Sequence, residues 1–177
     1  MPPALSNISL IRATDDDISF LSALADHPEV EPFLAVGSGD EDVLRGLVSD
    51  GGTDRGPRGL FVIRSPEGEL VGGLALSVVN HRSRICELSR LMIRPEKRRT
   101  GIASAAARLA CRTVLVDHSF HRIQLEVYGD NLGAQALFAH VGFVREGTRR
   151  RAYWRRERWL DGVQFGMLAE EFVLNPR

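Results

Sequence analysis

The stretch from Leu91 to Ser104 reads Leu-Met-Ile-Arg-Pro-Glu-Lys-Arg-Arg-Thr-Gly-Ile-Ala-Ser, and it decides the fold. An apolar strand is predicted to end at Ile93, because Pro95 has no backbone N–H to donate to a neighbouring strand. A charged turn follows, and Gly101 begins a predicted helix that is rich in small residues. Small residues let a ligand approach closely, and the unpaired N–H groups of a first helical turn carry positive partial charge. The stretch therefore predicts a phosphate-binding site, to which the adjacent arginines add charge.

Two common nucleotide-binding motifs are absent from the sequence. A Walker loop needs Gly-Lys followed by Ser or Thr, and the one lysine of the chain, Lys97, is followed by arginine. A dinucleotide-binding fingerprint needs Gly-x-Gly-x-x-Gly after a strand, and the sequence does not contain it. The predicted phosphate site is therefore of a third kind.

Two motifs resemble those of the GNAT superfamily of N-acetyltransferases. The first runs from Arg98 to Ala103 and reads Arg-x-x-Gly-x-Ala, which resembles the family's Arg/Gln-x-x-Gly-x-Gly/Ala signature. The second runs from Asn131 to Phe143 and reads Asn-x-x-Ala-x-x-Leu-Phe-x-x-x-Gly-Phe. Both occur in the order and at the separation that the family shows. The resemblance covers nearly the whole chain, from about Ile8 to Phe172.

The resemblance implies a binding mode for acetyl-CoA as co-substrate, with no metal. In the family, the loop amides hold the pyrophosphate, and pantetheine lies in a V-shaped gap between two parallel strands. The N–H of Met92 or Ile93 would stabilise the oxyanion. The residues implied to bind acetyl-CoA are Leu91, Met92, Ile93, Arg98, Arg99, Thr100, Gly101, Ile102, Ala103, Ser104, Asn131, Ala134 and Phe138.

The hydrophobic pattern predicts one α+β domain over residues 1–177, with an α/β sandwich-like arrangement. Strands are predicted at Ile8 to Ala13, Leu60 to Arg64, Leu70 to Val79, Arg84 to Ile93, Arg122 to Tyr128, Phe143 to Arg151 and Arg158 to Ala169. Helices are predicted after the Thr14 cap, at Glu41 to Val48, at 101–118 and from Asn131 to Gly142, with a loop at Asp50 to Gly59 and a tail at Asn175 to Arg177. The helical crossover between Ile93 and Arg122 makes those two strands parallel neighbours. The resemblance implies the GNAT fold: a mostly antiparallel mixed sheet of six to seven strands, a central V-shaped parallel pair and helices on both faces.

The acceptor is implied to be a primary amine, either a protein N-terminal amine, a polyamine or another small amine. The segment from His27 to Leu34 resembles a turn of the RimJ/RimL-like branch, in which the flanking helices form one wall of the acceptor site. The polyamine-acetylating, SpeG-like branch is the other match. Residues 1–60 hold eleven acidic residues and four arginines, a net charge of −7, whereas the remainder has a net charge of +7. The acidic part could attract a cationic substrate or form a solvated acidic surface.

Two glutamates are candidates for the base that takes the proton of the amine. Glu126 lies at the position where RimI-like enzymes carry their base. Glu87 lies eleven residues before Arg98, which is the spacing of the base in the histone-acetylating branch, and period two places it on one strand face with Ser89 and Leu91. Either carboxylate could instead be structural and paired with an arginine, and the enzyme could also use no protein base.

The acid that would protonate the leaving thiolate is missing from its usual position. The family has tyrosine after the leucine of its second motif, and this chain has Phe138. Ser89, Tyr128 or water could replace the tyrosine, and a thiol of pKa ~8.5 leaves tolerably well unprotonated. The alternative function is an acyl-CoA-binding or sensor protein of the same fold with weak catalysis.

Composition narrows the compartment and the partners. The 177-residue chain has 44% hydrophobic residues and no run of about 20 apolar residues, so a membrane span is not expected. The N-terminus lacks the basic and apolar regions of a signal peptide. Cys86 and Cys111 lie in a predicted strand and helix and are expected to be buried thiols of a cytoplasmic protein. The spacing of the histidines does not match a metal site.

Seven arginines lie between Arg145 and Arg158, next to Tyr153, Trp154 and Trp159. Basic residues beside aromatic ones can bind RNA. The zero net charge of the chain argues against a general nucleic-acid binder. We therefore expect a solvated hairpin face or a homodimer contact here, and no nucleic acid or ribosome contact.

Overall fold

Seven strands form one mixed sheet in the computed structural model, which describes residues 8–52 and 56–174. The strands are β1 Ser9–Arg12, β2 Gly59–Arg64, β3 Leu70–Asn80, β4 Ile85–Ile93, β5 Arg122–Tyr128, β6 Val144–Arg155 and β7 Arg158–Leu168. They lie in the order β1, β2, β3, β4, β5, β7, β6, and only β4 and β5 are parallel to each other. The predicted mixed sheet and its parallel pair are confirmed.

The helices cover both faces of this sheet. They are α1 Ile18–Ala25, α2 Glu41–Gly52, α3 Ile102–Cys111, α4 Leu132–Val141 and α5 Ala169–Leu174, and α3 continues as a π-helical segment, Arg112–Asp117. Three features differ from the sequence prediction: α2 extends to Gly52 instead of ending at Val48, β6 extends to Arg155 instead of ending at Arg151, and α5 was not predicted. The predicted loop at Asp50 to Gly59 lies partly outside the described residues, and the predicted tail at Asn175 to Arg177 lies wholly outside them. No helix in the described part of the chain is long and apolar enough to cross a membrane.

Both faces of the central strands are buried, and each face has its own core. In β2, Leu60 and Val62 pack with α1 and α2, whereas Phe61 and Ile63 pack with α3 and α4. This explains why β2 and β3 read as continuous apolar runs instead of alternating ones. The sheet is therefore the middle of three layers.

Gly72 and Gly73 in β3 allow close approach of their neighbours. A Cβ on Gly72 would clash with the carbonyl oxygen of Met92, and a Cβ on Gly73 would clash with the side chain of Leu21 in α1. The prediction of a bulge or a close backbone approach at these glycines is confirmed. Helix α1 consequently packs directly against the middle of the sheet.

A β-bulge interrupts β4 at Arg90. Ser89 pairs with Ala75 and Met92 pairs with Gly73, so the two residues between Ser89 and Met92 oppose a single residue of β3. Arg90 has a φ of 52°, in the left-handed region that such bulges use. The bulge changes the alternation of β4, because Leu91 then packs toward the core of α3 and α4. The expectation that Glu87, Ser89 and Leu91 share one face was wrong for Leu91.

Candidate active site

A cavity of about 460 Å³ opens where β4 and β5 diverge. The two strands pair only at their beginnings, from Ile85 with Arg122 to Glu87 with Gln124. The connection between α1 and α2 forms one wall of the cavity, and the starts of α3 and α4 contribute to the rest. Backbone groups along the second half of β4 therefore face a gap instead of a neighbouring strand.

The structure brings together fourteen of the sixteen predicted site residues around this cavity. They are Ser89, Leu91, Met92, Ile93, Arg98, Arg99, Gly101, Ile102, Ala103, Ser104, Glu126, Asn131, Ala134 and Phe138. The remaining two, Glu87 and Thr100, do not line it. The Thr100 hydroxyl donates a hydrogen bond to the carbonyl of Lys97 at 2.7 Å, so it stabilises the loop before α3.

The start of α3 presents free backbone N–H groups to the cavity. Gly101 caps the helix with a φ of 86°, a left-handed conformation that favours glycine. Apart from Gly101 itself, its chain neighbours and the backbone of its own helix, no heavy atom of the described residues lies within 4 Å of where a Cβ on Gly101 would stand, so the space above this turn is open. Helix α3 is ten residues long, and its dipole adds positive potential at this end. The geometry suits an anion.

Three cationic side chains of the loop surround the same opening. Lys97 pairs with Glu69 at 2.7 Å. Arg98 reaches across the cleft to the α1–α2 connection, where it donates to the Glu29 carbonyl at 3.0 Å. Arg99 is exposed and has a φ of 60°. The predicted charge beside the phosphate site is therefore present, and Arg98 also connects the loop to the opposite wall.

The direction of the backbone N–H groups at the end of β4 can be read from its pairing with β3. The N–H of Arg94 donates to the carbonyl of Val71 in β3 at 2.9 Å. Because N–H groups alternate in direction along a strand, Met92 also points toward β3, and Ile93 between them points toward the gap. Of the two oxyanion donors that the sequence left open, Ile93 has the suitable direction.

Glu126 of β5 lies at the cavity with two hydrogen-bond donors. The Tyr153 hydroxyl donates to Glu126 Oε1, and Arg149 Nη1 donates to the same oxygen at 3.2 Å. Burial and the contact with Glu126 raise the pKa of Tyr153 to about 12, so this hydroxyl remains a donor at neutral pH. The Glu126 side chain is 18% exposed, so it remains accessible from the cavity.

Gly162 of β7 provides the space for this carboxylate. A Cβ on Gly162 would overlap the Glu126 carboxylate and the ring of Tyr153. Sequence analysis did not identify Gly162, because its importance depends on the register between β5, β6 and β7. A glycine in the middle of a predicted strand was the available signal.

Glu87 lies at the closed end of the gap, where β4 and β5 still pair. Its Oε2 accepts a hydrogen bond from Gln124 Nε2 at 3.4 Å. This location separates it from the cavity that Glu126 lines. The geometry therefore favours Glu126 over Glu87 as the carboxylate that can meet a substrate.

Phe138 lines the cavity and also belongs to the core. It is 5% exposed, and its ring packs edge to face on Phe143 at 5.5 Å between centroids. Asn131 caps α4 by accepting from the N–H of Ala134 at 3.1 Å, so its side chain has a structural task. The second motif thus places α4 against the gap.

Of the proposed substitutes for the missing acid, Ser89 lines the cavity and Tyr128 does not. Tyr128 is buried, and its hydroxyl donates to the carbonyl of Leu34 at 3.3 Å. Burial raises the pKa of Tyr128. Of the two side chains that the sequence left open for this role, Ser89 is therefore the one that faces the cavity.

Several residues of the cavity wall were not among the predicted site residues, and four of them come from places where the sequence offered little indication. Val30, Phe33 and Leu34 come from the α1–α2 connection, which was predicted only as a wall. Arg90 was not predicted, because its position at the cavity depends on the bulge in β4. The available signal was a charged residue inside an otherwise apolar strand.

The buried thiols lie apart from this chemistry. Cys86 and Cys111 are fully buried and free, as predicted, and burial raises the pKa of each to about 12. Neither thiol is therefore a nucleophile at neutral pH. Within the described residues, no group of three or more His, Cys, Asp or Glu side chains is placed to hold a metal ion.

Acidic residues beside the cavity are paired with arginines from the other half of the chain. Glu31 accepts from Arg155 at 2.6 Å and from Arg156 at 2.8 Å, and these contacts lower the pKa of Glu31. Arg158 pairs with Asp130. Several arginines of the hairpin therefore bind neighbouring segments of the same chain.

Comparisons with known proteins agree with this geometry. A model of the acetyltransferase (GNAT) family matches residues 22–143. A curated relative, the SPbeta prophage-derived uncharacterized N-acetyltransferase YokL of Bacillus subtilis (strain 168), is 30% identical over 75 residues. The matched stretch spans 42% of this chain and 42% of that relative.

Solved structures of spermidine N-acetyltransferase SpeG share the fold. A chimera of the Vibrio cholerae protein and hSSAT superposes with a TM-score of 0.84 at 22% identity, covering 96% of this chain and 100% of that one. The Vibrio cholerae protein in complex with CoA and spermine superposes with a TM-score of 0.83 at 22% identity, covering 94% of this chain and 98% of that one. At these identities the likeness shows the fold alone.

Proposed function

The chain belongs to the acetyltransferase (GNAT) family, and we propose that it acts as one domain that transfers the acetyl group of acetyl-CoA to a primary amine. The observation that carries this proposal is the continuity of the cavity. It joins the free N–H groups at the start of α3 to the Glu126 carboxylate through the gap between β4 and β5. Phosphates fit one end, an amine fits the other, and the thioester would lie between them.

The donor would bind along this cavity in three parts. The first amides of α3, with Arg98 and Arg99, would hold the pyrophosphate. The unpaired backbone of Leu91 and Ile93 would pair with the amides of pantetheine. The apolar surface of α4, including Phe138, would pack on the pantetheine chain.

In the reaction, the neutral amine nitrogen attacks the thioester carbonyl, and the C–S bond breaks. The products are an N-acetyl amine and CoA, and the proton lost by the amine balances the one that the thiolate gains. Glu126 would accept the amine proton directly or through water, while Tyr153 and Arg149 hold the carboxylate in place. The N–H of Ile93 would stabilise the oxyanion.

Substituting the two candidate glutamates tests the assignment of the base. Glu126→Gln is expected to lower kcat by ~10²-fold or more, the scale of general-base catalysis, with little change in the Kd for acetyl-CoA. Glu87→Gln is the matched control and should lower kcat far less. The assay is acetyl-CoA-dependent thiol release across amines, N-terminal peptides and polyamines, and the buried thiols of the protein should not contribute to its background. A large loss with Glu87→Gln alone would reverse the assignment.

One observation favours the alternative function, an acyl-CoA-binding protein with weak catalysis. Phe138 cannot donate a proton to the leaving thiolate, and the ring is largely buried. If this alternative holds, the wild-type protein should bind acetyl-CoA in calorimetry and release almost no thiol with any amine. Rapid thiol release with at least one amine supports the enzyme.

We further propose a cytoplasmic homodimer. Strand β6 lies at the edge of the sheet, and Trp154 and Trp159 near its tip are 57% and 55% exposed and pack on each other. A second copy could cover these rings. Free buried cysteines suit a reducing compartment. Analytical ultracentrifugation of the wild type and of Trp154→Ser tests the dimer, which the substitution should weaken.

A further inference from the structure

Arg90 lines the cavity and forms no ion pair with any of the described residues. Its position in the bulge of β4 brings it to the cavity wall. Its Nε is shielded from solvent, and no described residue accepts a hydrogen bond from that nitrogen. Burial lowers the pKa of Arg90, and no neighbouring carboxylate offsets this effect. A partly buried guanidinium without a counter-charge costs free energy until an anion binds it.

The other charges of the cavity already have a task. Lys97, Arg98 and Arg99 belong to the loop before α3, where the pyrophosphate would bind. Among the described residues that line the cavity, Glu126 has the one carboxylate, and Tyr153 and Arg149 donate to it. The cavity therefore has an excess of positive charge, and Arg90 is the cation that lies away from the loop.

Arg90 also lies toward the closed end of the gap, on the side away from the loop before α3. It comes three residues after Glu87, the last residue of β4 that pairs with β5. It comes four residues before Arg94, where the loop begins. A carboxylate attached to the acceptor amine could reach Arg90 here, whereas a pyrophosphate on the amides of α3 lies farther along the strand.

We propose that the acceptor is an amine that also carries a carboxylate, such as an amino acid, and that Arg90 binds this carboxylate. This inference rests on the proposed acetyltransferase function and specifies its substrate class. The planar guanidinium offers two parallel N–H donors, which match the two oxygens of a carboxylate. Arg90 keeps its proton throughout the reaction and acts on the position of the amine. A polyamine would bring additional positive charge toward an unpaired guanidinium, which disfavours it.

The test uses pairs of acceptors that differ in one charge. Each amino acid is compared with its own carboxamide, which keeps the amine and the shape and removes the negative charge. Thiol release gives kcat/KM for both members with the wild type, Arg90→Gln and Arg90→Lys. The fold-change in kcat/KM that Arg90→Gln causes for the amino acid is then divided by the fold-change that it causes for the carboxamide. This ratio cancels the difference in basicity between the two amines.

We expect Arg90→Gln to raise KM for the amino acid about tenfold or more, the scale of a charge-assisted hydrogen bond, and to leave the carboxamide nearly unchanged. Arg90→Lys should restore part of the preference. The Kd for acetyl-CoA should stay the same in both variants. Arg82→Gln is the control, because Arg82 is exposed in the turn before β4 and should have no effect.

Three results would overturn the proposal. The first is a higher kcat/KM for spermidine than for every amino acid. The second is a weaker Kd for acetyl-CoA in Arg90→Gln, which would assign Arg90 to the donor. The third is an equal loss of kcat in Arg90→Gln for each amino acid and its carboxamide, which would mean that Arg90 acts on the leaving thiolate.

A binding measurement separates this proposal from the proposed function. Calorimetry of the amino acid pairs is performed on protein saturated with CoA, which needs no turnover. If no thiol is released but the amino acid binds and Arg90→Gln abolishes its binding, the recognition holds and the catalytic function fails. If the wild type binds no amino acid in the CoA complex and turns over none, the recognition itself is wrong.

Discussion

A single negative charge at Gly101 should separate acetyl-CoA binding from folding. Gly101→Asp places a carboxylate at the start of α3, and Gly101→Asn is its uncharged control of nearly equal size. The φ of 86° is accessible to both residues, because Asn and Asp are enriched in left-handed conformations. No heavy atom lies within 4 Å of the added Cβ, so neither side chain should clash with the protein.

The magnitude follows from charge repulsion at short range. Two like charges about 4 Å apart repel by ~1 kcal/mol in bulk water and by ~4 kcal/mol at the effective dielectric constant of a protein surface. Pyrophosphate over the first amides of α3 would approach the aspartate to about this distance. We therefore expect Gly101→Asp to weaken the Kd for acetyl-CoA by roughly tenfold to several hundredfold relative to Gly101→Asn.

Isothermal titration calorimetry at low and high salt measures this difference. The difference between the Kd values of the two variants should become smaller with added salt, because ions screen an exposed charge. Both variants should unfold close to the wild-type temperature. Equal Kd values for the Asp and Asn variants would refute the placement of the pyrophosphate on this helix, whatever their activity.

Three other substitutions test separate parts of the site and the fold. If the thiolate leaves unaided, Phe138→Tyr should change kcat by less than about tenfold. If the tyrosine restores a general acid, it should raise kcat by ~10²-fold or more. Measuring the rate of thiol release for both proteins distinguishes the two outcomes. Gly162→Ala should displace Glu126 and lower kcat while the fold persists, as judged by circular dichroism; unchanged kcat would show that the carboxylate position is unimportant. The hydrogen bond from Arg122 lowers the pKa of Glu146. The stability that this contact adds to the fold is therefore present above the ordinary carboxyl pKa of about 4.3 and is lost as the pH falls through the lowered value. Glu146→Gln should flatten the acid side of a plot of urea midpoint against pH, and an unaltered slope would contradict this.

The fold was predictable because its signals are local. The crossover from Ile93 to Arg122 requires a parallel pair, and the alternation of the other strands indicates hairpins. The cap at Asn131 and the stop at Gly142 defined α4 at both ends. Helix α5 was missed because it has six residues, which is too few to show the helical periodicity of apolar residues. The extension of α2 to Gly52 was missed because two glycines normally end a helix.

The candidate site was predictable where backbone geometry defines it. Gly101 was recognisable because a left-handed helix cap favours glycine, and the family motif marks the same position. Which of the two glutamates faces the cavity was not predictable in this way. Glu87 and Glu126 both lie on strands beside the gap, and only the extent of pairing between β4 and β5 separates them.

The chemistry of the site depends on two irregularities that the sequence did not reveal. In β6, three residues lie between Arg149 and Tyr153, whereas a single residue of β7 lies between their partners Gly162 and Leu160, and both side chains reach Glu126. In β4, the bulge at Arg90 places a guanidinium in the cavity. Arginine has no particular preference for a left-handed φ, so neither bulge has a residue signature, and each forms only because the surrounding strands are paired.

Opposite charges lie on the two strands that border the gap, Glu126 on β5 and Arg90 on β4. In the proposed reaction, Glu126 would take the proton of the amine and Arg90 would hold the carboxylate of the same molecule. An amino acid presents both groups in one small molecule, whereas a polyamine presents only the first. The shared fold with spermidine N-acetyltransferases therefore does not decide the acceptor, because the two side chains that would select it are set by local strand geometry.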